Sequence, residues 1–246
     1  MQKGQIRVQT ENIFPIIKKF LYSDHEIFLR ELVSNAIDAT QKLKTLSSIG
    51  EAKGELGELR IDVVLDAKEK TLSIIDRGVG MSAGEVDKYI NQVAFSSAED
   101  FLSKYKDASI IGHFGLGFYS GFMVSDKVDI ITKSFTDAKP VYWSCDGNPE
   151  FELYEIEEAE RGTRIVLHIN EESKEFLESY RIKAMLEKFC RFLPVPIFFK
   201  EAASEDEPKQ INNTNPIWVK KPAELTTQDY QDFYKELYPY GETPLF

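Results

Sequence analysis

Phe28-Leu29-Arg30-Glu31-Leu32-Val33-Ser34-Asn35-Ala36-Ile37-Asp38 is the stretch from which the rest of the chain can be read. Leu29, Leu32, Val33, Ala36 and, further on, Leu43 recur at helical spacing and must face a core. Glu31, Asn35, Asp38 and Lys42 stand at i, i+4, i+7 and i+11 and share one other side of the same helix. Ser23-Asp24-His25-Glu26 has the form of a capping box with Ser23 as N-cap, which predicts a helix from about His25 to Leu46. The polar side has two readings. It is a solvated stripe, or it is a working face on which the Asn35 amide oxygen ligates Mg²⁺ one turn from a carboxylate, Glu31, able to serve as a base.

Strand signals dominate the chain beyond this helix. Leu59, Ile61, Val63 and Leu65 alternate with mostly polar neighbours, and the turn Ala67-Lys68-Glu69-Lys70 leads into a second strand from Thr71 to Ile75. Further strands are predicted over 128–135, 141–144, 151–156 and 162–169, and Ile182, Met185, Leu186 and Phe189 mark a later helix. The connections between strands are mostly short, so the sheet is expected to be largely antiparallel with helices on one face. The fold class is therefore α+β, a two-layer sandwich. Residues 201–215 lack periodicity and bulky side chains and read as a linker. Beyond them, Thr226-Thr227-Gln228-Asp229 can cap a helix carrying Tyr230, Phe233, Tyr234, Leu237 and Tyr238 on one face. That face needs a partner past Phe246, so the chain is expected to stop just inside a second domain. The division reads as 1–200, one folded unit; 201–215, linker; 216–246, the start of the next domain.

Composition narrows the function classes. The 246 residues carry a net charge of −11, from 41 acidic and 30 basic side chains. A nucleic-acid-binding module needs a basic stripe, so that class is set aside. Any polyanionic ligand must be held locally, by backbone dipoles or a metal ion. The N-terminus has no apolar core of a signal peptide, and the stretch 110–124 is too short and too rich in glycine to span a bilayer, so a cytoplasmic protein is expected. Cys145 and Cys190 are too few for a disulfide framework, and His25, His113 and His168 form no metal or triad pattern.

Two glycine-bearing segments carry the remaining chemistry. In Ile74-Ile75-Asp76-Arg77-Gly78-Val79-Gly80-Met81 an apolar strand ends in Asp76 before two glycines turn the chain. This is a tight turn, or it is a carboxylate held to accept a hydrogen bond from an exocyclic amine, with the glycines letting backbone lie flat beside a purine. Ile111-Gly112-His113-Phe114-Gly115-Leu116-Gly117-Phe118 frees backbone N–H groups ahead of an apolar run, as in an anion site at a helix N-terminus, or is a flexible loop. It is neither a Walker A loop nor a dinucleotide fingerprint, since no Gly-Lys-Ser/Thr comes after it and the glycine spacing is wrong. Thr163, opening the strand at 162, is by itself only a good strand former.

Taken in order, Glu31-x-x-x-Asn35-x-x-Asp38, the DxGxG turn at Asp76 and the Gly-rich segment resemble the ATP site shared by DNA gyrase, heat-shock chaperones, sensor histidine kinases and MutL. Phe28 to Ala36, Gly115 to Ser120, Arg161-Gly162-Thr163 and Asn215-Pro216-Ile217-Trp218 are similar to the ninety-kilodalton heat-shock chaperones, and the lack of a long acidic insert suggests their bacterial branch. The resemblance covers essentially the whole chain and implies an ATP-dependent chaperone's ATPase domain, with residues 216–246 matching the start of the middle domain. It implies Glu31 as the group that activates water, Asn35 as the Mg²⁺ ligand, and Asp76 on the adenine amine with Thr163 helping through water. The nucleotide-binding set it implies is Asn35, Asp38, Lys42, Asp76, Gly80, Met81, Gly112, Gly115, Gly117, Phe118 and Thr163. A lid over roughly 82–120, an N-terminal strand near Gln5–Gln9 that exchanges within a homodimer, unfolded client proteins and co-chaperones are implied with it. Four departures stand out. Phe95 replaces a phosphate-facing lysine, Asn91 and Ser97 replace lid glycines, Arg77 replaces a small or amide residue, and His113 replaces a glutamine. The lid is accordingly expected to be held by packing of Phe95 and Val93.

Overall fold

The computed structural model describes residues 24–241 except Ala94, Asp107, His113, Phe114 and Pro239. Ser23, His113 and the Gln5–Gln9 segment lie outside the described residues. Eight strands form one sheet in the order β5-β4-β3-β6-β2-β1-β7-β8. They are β1 (Ile61–Asp66), β2 (Thr71–Asp76), β3 (Ser125–Lys133), β4 (Val141–Cys145), β5 (Glu152–Glu155), β6 (Gly162–Ile169), β7 (Ile197–Glu201) and β8 (Lys209–Gln210). All neighbours are antiparallel except β1 and β7. That parallel pair arises from the connection between β6 and β7, which crosses the sheet as the helix α4 (Ser179–Cys190). The α+β sandwich read from the sequence is the architecture found.

Helix α1 (Ile27–Ser48) and α4 cover one face of the sheet. Phe28, Leu29, Leu32, Val33 and Ile37 of α1 meet Ile61, Val63, Leu72, Ile74, Ile130 and Leu167 of the strands, all buried. Alternation decides which strand residues do this: Val128, Ile130 and Thr132 point inward on β3, and Asp129 and Ile131 point outward. Two short helices, α2 (Ala83–Tyr89) and α3 (Ser97–Lys104), lie between β2 and β3 in sequence, and a 3₁₀ segment spans Gly117–Met123.

Three local expectations change. Helix α1 opens two residues later than His25, with Glu26 at the N-cap position and no side-chain cap. The Glu26 carboxylate is instead bound to Arg181 (2.6 Å) and Lys188 (2.7 Å) of α4, so it ties two helices together rather than closing a box on its own. The 201–215 stretch is not structureless. It carries β8, and its Asn212 is buried, accepting from Ile197 N (2.8 Å) and donating to the carbonyls of Leu193 and Val195. One side chain there satisfies three backbone groups, something that composition alone does not reveal. The capping box at Thr226 and Asp229 forms as read, opening α5 (Thr227–Leu237). Part of its aromatic face finds a partner within the chain: Phe233 packs on Phe192 and Trp218, at ring distances of 5.6 and 5.5 Å.

Candidate functional site

A cavity of about 480 Å³ lies between α1, the ends of β2 and β6, and the segment that carries α2 and α3. Its lining includes Glu31, Asn35, Asp38, Lys42, Asp76, Gly80, Met81, Gly112, Gly115, Gly117, Phe118 and Thr163. The nucleotide-binding set implied by the resemblance, with Glu31, therefore meets at one place. The polar side of α1 is not a solvated stripe, since Asp38 and Lys42 are buried at 5 % and 8 % exposure.

Asp76 ends β2 at the cavity floor. Gly78 N donates to its Oδ1 at 2.7 Å, and the backbone of Thr163, its cross-strand neighbour, also bonds to the carboxylate. Burial nevertheless dominates and pushes its pKa up to about 7. The glycines after it are also required by protein packing. A Cβ on Gly78 would lie 2.4 Å from the Ala39 carbonyl carbon of α1, and one on Gly80, at φ +58, 1.8 Å from Lys133 O. The turn is thus wedged between helix and sheet, and Val79 N donates to Ala39 O at 3.1 Å. Arg77 does not enter the cavity. It pairs with Asp62 at 2.6 Å on the other face of the sheet, so this departure leaves the floor intact.

On α1, Asp38 is occupied with backbone. Its two oxygens accept from Ile111 N (2.8 Å) and Gly112 N (2.7 Å), which moors the glycine segment to the helix. Gly112 therefore gives its amide to Asp38. Gly117 lies against Glu31, where a Cβ would come within 2.7 Å of Oε2. The Glu31 carboxyl is half-buried, and desolvation raises its pKa above the ordinary value against the opposing charge of Arg30. Lys42 reaches across the cavity to Ser97 Oγ (2.9 Å) at the start of α3, and burial lowers its pKa to about 8.

The departures at Asn91 and Ser97 are wired into this arrangement. Asn91 Oδ1 accepts the Trp143 indole N–H at 2.9 Å, and Ser97 holds Lys42. Val93 packs on the core as expected, but Phe95 does not. It is 42 % exposed, lines the cavity mouth, and has the Lys88 ammonium 5.4 Å from its ring centre. Packing holds this segment at Val93; at residue 95 a cation lies over an exposed ring.

Residues 22–164 match the family of histidine kinase-, DNA gyrase B- and HSP90-like ATPases, and residues 200–246 match the Hsp90 protein family. The chain belongs to the HSP90-like ATPases. It is similar to the chaperone protein HtpG of Porphyromonas gingivalis, 60% identical over 256 residues, and to that of Bacteroides fragilis, 63% identical over 257 residues. Both alignments cover 100% of this chain and 37% of the relative. The HtpG of Chromobacterium violaceum is 37% identical over 96% of this chain and 40% of its own length. The chain thus spans little more than a third of the relatives it matches.

Two residues that hold the backbone around the cavity floor of this HSP90-like ATPase domain have no role assigned from the sequence. Arg161 donates to the carbonyls of Arg77 (3.2 Å) and Leu56, clamping the turn after Asp76. Thr132 accepts from Met81 N at 2.9 Å behind the cavity floor. The signal for Thr132 was present in principle: it is the one hydroxyl in the inward series Val128, Ile130, Thr132. None of the described helices is long and apolar enough to cross a membrane.

Proposed function

We propose that the cavity binds ATP and ADP with Mg²⁺, and that slow hydrolysis there drives lid closure and dimer clamping in a cytoplasmic heat-shock chaperone. Unfolded or partly folded proteins are its clients, and co-chaperones can join the homodimer formed by the longer protein. The observation that carries this reading is the convergence on one cavity of Asp76, Asn35, Glu31 and the glycine segment, four features far apart in sequence.

Each residue has a role that its setting supports. Asp76 accepts the adenine amine, and Thr163 beside it completes that edge. Gly80 and Met81 form the wall along the base. Gly115, Gly117 and Phe118 offer backbone donors to phosphate, with Asp38 and Lys42 fixing the segments that frame it. Among the described residues no group of three or more His, Cys, Asp or Glu could hold a metal ion. Asn35, whose amide oxygen faces the glycine segment, would hold a magnesium ion there. Bound there, it would neutralise charge at the phosphates. Glu31, half-buried with a raised pKa, is suited to hold a water's proton.

Calorimetry of the chain with ADP and Mg²⁺ tests the reading, with Asp76→Asn as the control. The variant loses a charge-assisted hydrogen bond of about 1.5–3 kcal/mol and turns an amide donor toward the amine, so tight binding is expected to vanish. Undiminished affinity in a folded Asp76→Asn protein refutes the assignment.

A further inference from the structure

Lys42 is a buried cation with no counter-charge in contact. Its Nζ donates to Ser97 Oγ at 2.9 Å and stands 5.6 Å from the centre of the Phe101 ring, and among the described residues it forms no ion pair. Lysine is rarely buried unless paired, because the ammonium gives up its hydration and a hydroxyl returns little of it. Asp38 on α1, Glu85 on α2 and Asp100 on α3 raise its pKa by charge alone. Burial outweighs all three and leaves it at about 8. Such an amine is roughly a tenth neutral at pH 7, whereas an ordinary lysine is neutral in fewer than about one molecule in two thousand.

The neutral form carries a lone pair into a cavity. Lys42 lines the same space as the glycine segment. Ser97, which holds it, lies two residues from Phe95, and the Phe95 backbone packs so closely on Gly115 that a Cβ there would come within 2.5 Å of Phe95 O. We propose that Lys42 is an acylation site and that its donor is an acyl phosphate, the mixed anhydride of a carboxylic acid and phosphoric acid. This rests on reading the cavity as a nucleotide site, because the glycine segment that receives nucleotide phosphates there also receives the phosphate of the donor. Lys42 Nζ adds to the carbonyl carbon while Ser97 Oγ keeps one of its hydrogens and steadies the head of the side chain. The bond from the carbonyl carbon to the bridging oxygen then breaks. Inorganic phosphate departs with the electron pair and takes up the proton that the nitrogen releases, and an ε-amide remains. The amide carries no charge, so acylation deletes one cation from the cavity.

The test treats the 246-residue chain with acetyl phosphate and follows the acetylation rate of each lysine by peptide mass spectrometry. Lys42 should react faster by about tenfold or more than Lys139 and Lys174, whose side chains are 72 % exposed. Inorganic phosphate, competing for the place of the donor's phosphate, should slow Lys42 and leave the other two unchanged. Phenyl acetate, an acyl donor without phosphate, should favour Lys42 less than acetyl phosphate does. A Lys42 rate no higher than that of Lys139 overturns the proposal. Equal preference from the two donors, with no effect of phosphate, overturns it as well, since the amine would then be reactive without selecting an acyl phosphate. Calorimetry with ADP on the same preparation keeps the two readings apart. A chain that binds ADP but leaves Lys42 slow refutes the acylation site alone, and one that binds no ADP removes the nucleotide reading on which the donor class stands.

Discussion

Asp76 shows how one buried carboxyl couples ligand, proton and stability. Its folded pKa of about 7 lies above its ordinary value of 3.8, so the native state holds this proton more tightly than the unfolded chain does. The contribution to stability is full below pH 4 and is lost as pH rises from there to about 7. Denaturant unfolding of wild type and Asp76→Asn between pH 4 and 8 should show a decline in wild type that is shallower in the variant; parallel curves would place the titration elsewhere. Glu31 makes a different prediction. Its carboxyl borders the cavity but ends no strand and anchors no loop, so Glu31→Ala should leave ADP affinity nearly unchanged. In the full-length protein it should cost about 10²–10⁴ in ATP turnover, the usual worth of a positioned base. An unaltered turnover rate would mean that another group activates the water.

Helix α1 works at the scale of the element by joining two jobs on one rod. One face fills the core through Phe28, Leu32 and Ile37, and the other carries Glu31, Asn35, Asp38 and Lys42 into the cavity. Asp38 and Lys42 extend its rigidity to neighbours that have little of their own, the glycine segment and the start of α3. Asp38→Ala removes both acceptors from Ile111 and Gly112. Hydrogen exchange at these two amides should accelerate by at least tenfold, and nucleotide affinity should fall although the carboxylate is turned to backbone. Unchanged exchange there would mean that other contacts hold the segment. The sequence placed these side chains on one face correctly because helical spacing is local. It could not tell a solvated face from a cavity wall, since that depends on the strand ends that arrive from elsewhere.

For the whole molecule, the cavity walls come from residues 30–165, while the last part of the chain packs at the far end of α4 through Phe192, Trp218 and Phe233. Among the described residues no basic side chain from beyond residue 165 lines the cavity. Phosphoryl transfer gains much of its rate from cationic groups placed on the developing charge. The 246-residue chain should therefore bind ATP yet turn it over far more slowly than a protein spanning the full length of its HtpG relatives. Steady-state hydrolysis by the two, side by side, decides the matter, and equal rates would show that this chain holds the complete catalytic set.

Periodicity and residue chemistry, both local, were sufficient to define the sheet and helix classes and the two faces of α1, and the resemblance of the motifs supplied the set of residues that gathers at the cavity. Fit of backbone to backbone was not local. The glycines after Asp76 exist because α1 and Lys133 press on the turn, and the 201–215 stretch is ordered because Asn212 finds three backbone partners nineteen residues or fewer away in sequence but across a strand. Arg77, unusual in its motif, is harmless because strand parity sends it to Asp62 on the outer face. Thr132 Oγ1 of β3 has Met81 N, Gly162 O and Thr163 Oγ1 within 3.0 Å, and only the folded sheet brings these three neighbours to one oxygen.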